Sequence, residues 1–124
     1  MGTNDIYNRS TTSASDIAHH LLCTAKVLIR HHGVRHVILL EVLPRTTWGK
    51  YCGTPEFNDR VSQYNKALKA MCDACPEISF WSHGGIAGDV ARYLKDGCHL
   101  NAMGMSKYAH SIRRAVLQTS KYFN

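Results

Sequence analysis

The apolar residues of this chain keep helical spacing in some stretches and form short unbroken runs in others, and the two patterns alternate. Between Asp16 and His32, Ile17, Leu21, Ala25 and Leu28 recur on one side, joined by Ala18, Leu22 and Ile29. Steps of three and four residues place such positions on one helix face, with Ser15 or Asp16 as the cap and Gly33 as the stop. Val34 to Leu43 follows as a β-rich run centred on Val37-Ile38-Leu39-Leu40. A continuous apolar run after a helix predicts a buried parallel strand. Thr54-Pro55-Glu56 then opens a second helix with a capping hydroxyl, a first-turn proline and an acid at the positive end of the dipole. Phe57, Val61, Tyr64, Leu68, Met71 or Cys72, and Cys75 form its apolar stripe, and Pro76 closes it. Ile78 to Trp81 reads as a short strand, and His83 to Asp89, with Gly84, Gly85 and Gly88, as a flexible loop. Asn101 caps a last helix whose inward positions are expected to be Met105, Tyr108, Ala109, Ile112 and Val116.

Residues 1–15 are polar and read as a loop, so the order is loop, helix, strand, helix, strand, loop, helix. That alternation predicts a single α/β domain over residues 1–124 with parallel strands and right-handed crossovers. Two strands are few for such a sheet, and an unpaired apolar edge invites self-association. Pro44 to Gly53 is a connecting loop with three large residues, Arg45, Trp48 and Tyr51, after the C-terminal end of a strand. Ligands of α/β proteins bind at strand C-termini, so these side chains either line a substrate pocket or pack over the helices.

The longest apolar run, Val37 to Leu40, is far too short to span a membrane. The polar start is not expected to be a secretory leader or a transit peptide. There are five cysteines, an odd number without disulfide spacing. The expectation is a reduced, intracellular chain. Cys72-x-x-Cys75 is a lone pair, and zinc would need two further ligands, so helix-face thiols are the plainer reading. The net charge is +6. Its basic residues form two groups: Lys26, Arg30 and Arg35 with His31, His32 and His36, then Lys107, Arg113, Arg114 and Lys121. Such groups either are solvated helix faces or attract nucleic acid.

The chemistry concentrates in Asp96-Gly97-Cys98-His99-Leu100-Asn101, just before the last helix, and in Gly2-Thr3-Asn4-Asp5 at the start. An Asp three residues before a His can orient and charge a general base, and an exposed Asn amide can hold an oxyanion. Taken alone, the same residues also suit a turn, a surface histidine and an Asx turn.

In this order, with these helices and strands between them, the two motifs resemble the C-terminal part of an SGNH, or GDSL-like, hydrolase. Weaker matches are Leu43-Pro44-Arg45, Phe57-Asn58, Tyr64-Asn65 and the Asn101-x-x-Gly104 context. Within that family the chain is similar to esterase-like domains of some animal retroelement-encoded proteins. The resemblance implies a flavodoxin-like three-layer α/β/α sandwich, N-terminally truncated here so that the last two strands remain. It implies that His99 is the general base, that Asp96 holds its ring, and that Asn4 donates to the oxyanion. Asp5 would brace its loop. No cofactor or metal is implied, and substrates would be small acyl or acetyl esters of lipid or carbohydrate.

The family's Gly-Asp-Ser nucleophile and its second-block glycine have no match in this sequence. Ser82 lies outside any Gly-x-Ser-x-Gly elbow. Ser10, Ser13 and Ser15 sit in the polar start, and Ser106 and Ser111 on the last helix. Cys98, between the two site residues, is expected to point away from the Asp–His line. The chain by itself therefore carries a base and one oxyanion donor but no nucleophile. The alternative is a non-catalytic SGNH-like module that binds nucleic acid or protein through its basic surface.

Overall fold

Ser13 starts the first helix because its hydroxyl accepts a hydrogen bond from the Asp16 N–H at 3.1 Å, satisfying a donor that has no partner inside the helix. The computed structural model describes residues 13–46 and 56–120. Helix α1 spans Ala14–His32, so the cap lies upstream of both Ser15 and Asp16. Asp16 instead occupies the first turn, where its charge suits the helix dipole. Gly33 ends α1 in the left-handed region, at φ 71°. The Val34 N–H then turns back to the Leu28 carbonyl.

Strand β1 is Val37–Leu40, shorter than the β-rich run Val34 to Leu43 that contains it. It pairs in parallel with β2, Ile78–Trp81, from Val37 opposite Ile78 to Leu40 opposite Trp81. Between them runs α2, Glu56–Asp73, which turns out of helical geometry before Cys75 and Pro76 are reached. The protein is thus α/β, largely helical, with a two-stranded parallel sheet among the described residues. No described helix is long and apolar enough to cross a membrane.

One core joins α1, α2 and the sheet. Ile17, Ala18, Leu22 and Ala25 of α1 meet Phe57, Val61, Tyr64, Leu68 and Cys72 of α2 over Leu39 and Ile78. These are positions the helical spacing selects, but Leu28 of the same α1 series is 39% exposed. Each large apolar side chain fully buried here contributes roughly 1.5–3 kcal/mol.

The Glu41 N–H still reaches the Trp81 carbonyl of β2 at 2.9 Å, and beyond it two asparagines of α2 take the place of a strand partner. Asn65 accepts from the Val42 N–H and donates to the Val42 carbonyl, both at 2.9 Å. Asn58 does the same for Arg45, at 2.8 and 2.7 Å. A side-chain amide carries a donor and an acceptor side by side, so it can copy a backbone partner.

His83 to Asp89 is not a flexible loop. Gly84–Ala87 forms a short helix, α3, and Val90–Tyr93 another, α4. Ile86 and Tyr93 are buried and anchor the segment, which apolar spacing over so few residues cannot reveal. The last helix, α5, spans Ala102–Thr119 and is capped by Asn101, whose side chain accepts from the Gly104 N–H at 2.7 Å.

The expected inward face of α5 needs correction. Met105 is 58% and Val116 51% exposed. Ala109 is exposed too, while Tyr108 and Ile112 are half-buried. Gly104, Ala115 and Thr119 are the buried positions. A Cβ at Gly104 would collide with the Tyr93 carbonyl, so α5 approaches α4 on its small-residue side. Close packing of backbone against backbone outweighs the burial of two larger side chains.

Candidate active site at the Asp96–His99 loop

Residues 95–99 form a loop pinched at its base. Leu94 and Leu100 make an antiparallel bridge, and the Lys95 N–H donates to the His99 carbonyl at 2.9 Å. Asn101 clamps the exit: its N–H reaches the Tyr93 carbonyl at 2.8 Å and its side-chain amide the Arg92 carbonyl at 2.9 Å. Gly97 turns the chain at φ 80°, a conformation that a side chain would oppose.

Inside this turn Asp96 is bonded on both oxygens. Oδ1 accepts the His99 N–H at 2.7 Å and the Cys98 N–H at 2.9 Å. Oδ2 lies 2.7 Å from His99 Nδ1. The backbone N–H of His99 first, then its side chain and the Cys98 N–H, hold the Asp96 carboxyl well below the usual carboxylate range. An ionised carboxylate can only accept, so His99 Nδ1 carries the proton. In the neutral ring the lone pair then sits on Nε2, to which no described residue bonds. That is the tautomer a general base needs. Both side chains are open to water, with His99 65% and Asp96 46% exposed.

A cleft of about 340 Å³ adjoins the loop, at the C-terminal end of β1. Leu40, Val42 and Leu43 form one wall and Leu94, Cys98 and Leu100 another. The Thr46 N–H donates to the Gly97 carbonyl at 2.8 Å, tying the β1 exit to the Asp–His loop. Glu41 and Tyr108 supply polar groups. Burial pushes the Glu41 carboxyl up, partly offset by its bond from the His83 N–H. Burial, then the Glu41 charge, pushes the Tyr108 hydroxyl up.

Arg45 lines this cleft, with its guanidinium 4.3 Å from the centre of the Phe57 ring. Cys98 lines the cleft, and its backbone N–H donates to Asp96. Asn4, Asp5, Trp48 and Tyr51 lie outside the described residues, as do Gly2-Thr3 and Ser10. Ser13 is spent as the α1 cap. Ser15, Ser82 and Ser106 are exposed, and none of them bonds to His99. His36 does not belong to a basic surface: it is buried, and its Nε2 lies 2.7 Å from Ser79 Oγ. The described cysteines are free, and no three His, Cys, Asp or Glu side chains among the described residues converge on a metal position.

A second polar cluster has no sequence signal. His83 is 1% exposed. Its Nδ1 lies 2.6 Å from Ser111 Oγ, which accepts from the Trp81 indole N–H at 2.9 Å. Glu41 bonds the His83 backbone N–H, not its ring, so the three do not form a catalytic triad. Burial lowers the His83 pKa and keeps the ring neutral, and its Nε2 is buried without a partner among the described residues. The Tyr108 ring stands 4.5 Å away, centre to centre.

No protein-family model matches this chain, and a search of curated proteins finds no match to it.

Proposed function

We propose that the chain is the C-terminal, Asp–His-bearing part of an SGNH-type serine ester hydrolase, built on a flavodoxin-like three-layer sandwich. The observation that carries this reading is the 2.7 Å bond between Asp96 Oδ2 and His99 Nδ1, with the same carboxylate fixed by two loop N–H groups. A serine supplied from outside the described residues attacks the ester carbonyl while His99 Nε2 takes its proton. His99 later returns that proton to the leaving alkoxide, and Asp96 stabilises the imidazolium between the two steps. Asn4 donates to the oxyanion. The cleft beside Leu100 receives the acyl or alkyl group, and Arg45 lines it.

The exposure of the dyad fits this division of labour, because a base half in water gains strength only when other segments cover it. The test is to map the 5′ end of the native transcript, express the whole reading frame and assay short-chain p-nitrophenyl esters. Activity lost in His99→Ala supports the reading. Activity that ignores His99→Ala, or a frame with no nucleophile and no activity, overturns it.

One observation favours the alternative, a nucleic-acid-binding module. Lys107, Arg113 and Arg114 are all exposed on α5, and no acidic residue follows Asp96. A salt-dependent shift with single-stranded RNA, lost in Arg113→Glu/Arg114→Glu, is its signature.

A further inference from the structure

Helix α1 presents a second pair of chemistry-bearing side chains, remote in sequence from the Asp96–His99 loop. His19 and Cys23 are one turn apart, both are exposed, and His19 Nε2 lies 3.6 Å from Cys23 Sγ. Zinc binds imidazole nitrogen at about 2.0–2.1 Å and thiolate sulfur at about 2.3 Å, so two such ligands at the tetrahedral angle stand roughly 3.5 Å apart. The pair already spans one edge of a zinc tetrahedron, and the helix backbone holds it there. Within one chain, no third His, Cys, Asp or Glu among the described residues completes the set.

The neighbouring positions on α1 say where the other two ligands come from. Asp16, His19, Cys23 and Lys26 follow one another at spacings of three, four and three, which makes a single stripe along the helix. Two copies of that stripe, laid antiparallel about a twofold axis midway between His19 and Cys23, set His19 opposite the partner's Cys23. The same rotation sets Asp16 opposite the partner's Lys26, so unlike charges meet at both ends of the contact. Antiparallel helix dipoles also oppose one another favourably.

We propose that His19 and Cys23 of two copies of this chain bind one zinc ion as a Cys₂His₂ site across a twofold axis. Each Cys23 thiol releases its proton to solvent as its sulfur–zinc bond forms, and each His19 ligates through the lone pair of neutral Nε2. Binding therefore weakens as the pH falls. Val27, on the next turn of the same side and 47% exposed, gains cover in the pair. Cys72 is a poorer ligand, because it is buried in the core and its thiol is pushed up to about 11, first by that burial.

The test uses the full chain, kept reduced by a phosphine, with Zn²⁺ added during analytical ultracentrifugation. The expected result is a doubling of mass from 13.9 kDa at one zinc per two chains. Co²⁺ in place of zinc should give the intense visible spectrum of a tetrahedral thiolate site. That spectrum reads the site whatever the mass of the metal-free protein. His19→Ala and Cys23→Ser should each abolish both signals, with far-UV circular dichroism unchanged, while Cys75→Ser keeps them. Asp16→Lys should weaken the dimer at least about tenfold, and Asp16→Lys/Lys26→Asp should restore it. A chain that stays monomeric at saturating zinc, a 1:1 complex, or a zinc dimer that survives Cys23→Ser overturns the proposal.

Discussion

His83 and His99 sit in two regions that handle the same side chain in opposite ways. Each ring makes one short contact through Nδ1, at 2.6 Å to Ser111 and at 2.7 Å to Asp96. Around His83 the structure is closed: the ring is buried, its neighbours are a tryptophan, a tyrosine and a serine, and burial keeps it uncharged. Around His99 it is open, and the partner is an ionised carboxylate. Burial with a neutral partner turns a histidine into a structural hydrogen-bonding group. Exposure with a carboxylate at Nδ1 leaves the other nitrogen ready to take a proton. The first arrangement serves the packing of the fold; the second, in the reading proposed above, serves the chemistry.

The largest effect expected from this contrast is on activity. In the complete esterase proposed above, Asp96→Asn should reduce kcat on the order of 10⁴-fold, because the amide favours the wrong ring tautomer. Steady-state kinetics of the variant measures this, and a loss under about tenfold would remove the functional distinction between the two histidines.

Next in size is the loss of the Ser111 hydroxyl. Ser111→Ala leaves the Trp81 indole N–H and His83 Nδ1 without their partner. An unsatisfied group costs about 1–3 kcal/mol when buried, and both sites are only partly open to water. Urea denaturation should show a drop of about 2 kcal/mol. An unchanged midpoint would show that the closed region is not held by these bonds.

The pH dependence separates the regions more finely. The His83 pKa is lowered from its ordinary 6.5, so between the two values the unfolded chain binds the extra proton. Its stability contribution is complete above about 6.5 and declines as the pH falls toward the folded-state value. Burial lowers His36 as well, with Glu77 opposing, and its contribution follows the same direction. Glu41, raised by burial, acts the other way, losing stability as the pH climbs past its ordinary 4.5. Asp96 is depressed, so its contribution is complete above the ordinary carboxylate value and is lost only in stronger acid. Subtracting the stability of His83→Asn from that of the parent, point by point along a pH series, should leave a slope below about 6.5. The same subtraction with Asp96→Asn should leave a slope only below about 4. Slopes in the reverse places would contradict the assignment of charge states.

The smallest effect should be that of His99→Ala on stability. Its side chain is 65% exposed, and substitutions at such surface positions shift stability by about 0.5 kcal/mol at most. A loss of several kcal/mol would mean that the Asp–His loop is a structural element like the His83 cluster.

Legibility in the sequence tracks the distance between partners along the chain. The α1 and α2 stripes apart from exposed Leu28, the centre of β1, the whole of β2, the Gly33 stop and the Asn101 cap rest on residues within a turn or two of each other, and they are found where expected. The Asp96–His99 bond is also local, closing over three residues. The cap is Ser13, two or three positions before the expected Ser15 or Asp16, because several nearby polar side chains can serve. By contrast, Ser111 reaches His83 across 28 residues and Asn65 reaches Val42 across 23. Asn58 and Asn65 flank buried Phe57 and Tyr64 on α2, a hint of shared orientation but not of their partner.

What the sequence by itself determined is therefore the three long helices and two strands in their order, the α1–α2 core face and the local Asp96–His99 pair, but not the short helices α3 and α4. Propensity, capping and apolar period act over a few residues and are complete within each segment. What only the tertiary structure decided is which side of α5 packs inward, where the β1 exit finds its backbone partners, and that His83 rather than a second surface histidine is buried. Those outcomes depend on contacts between distant segments. At Gly104 the close approach of α5 to the Tyr93 carbonyl prevailed over burying Met105 and Val116, and no pattern within α5 encodes the presence of α4.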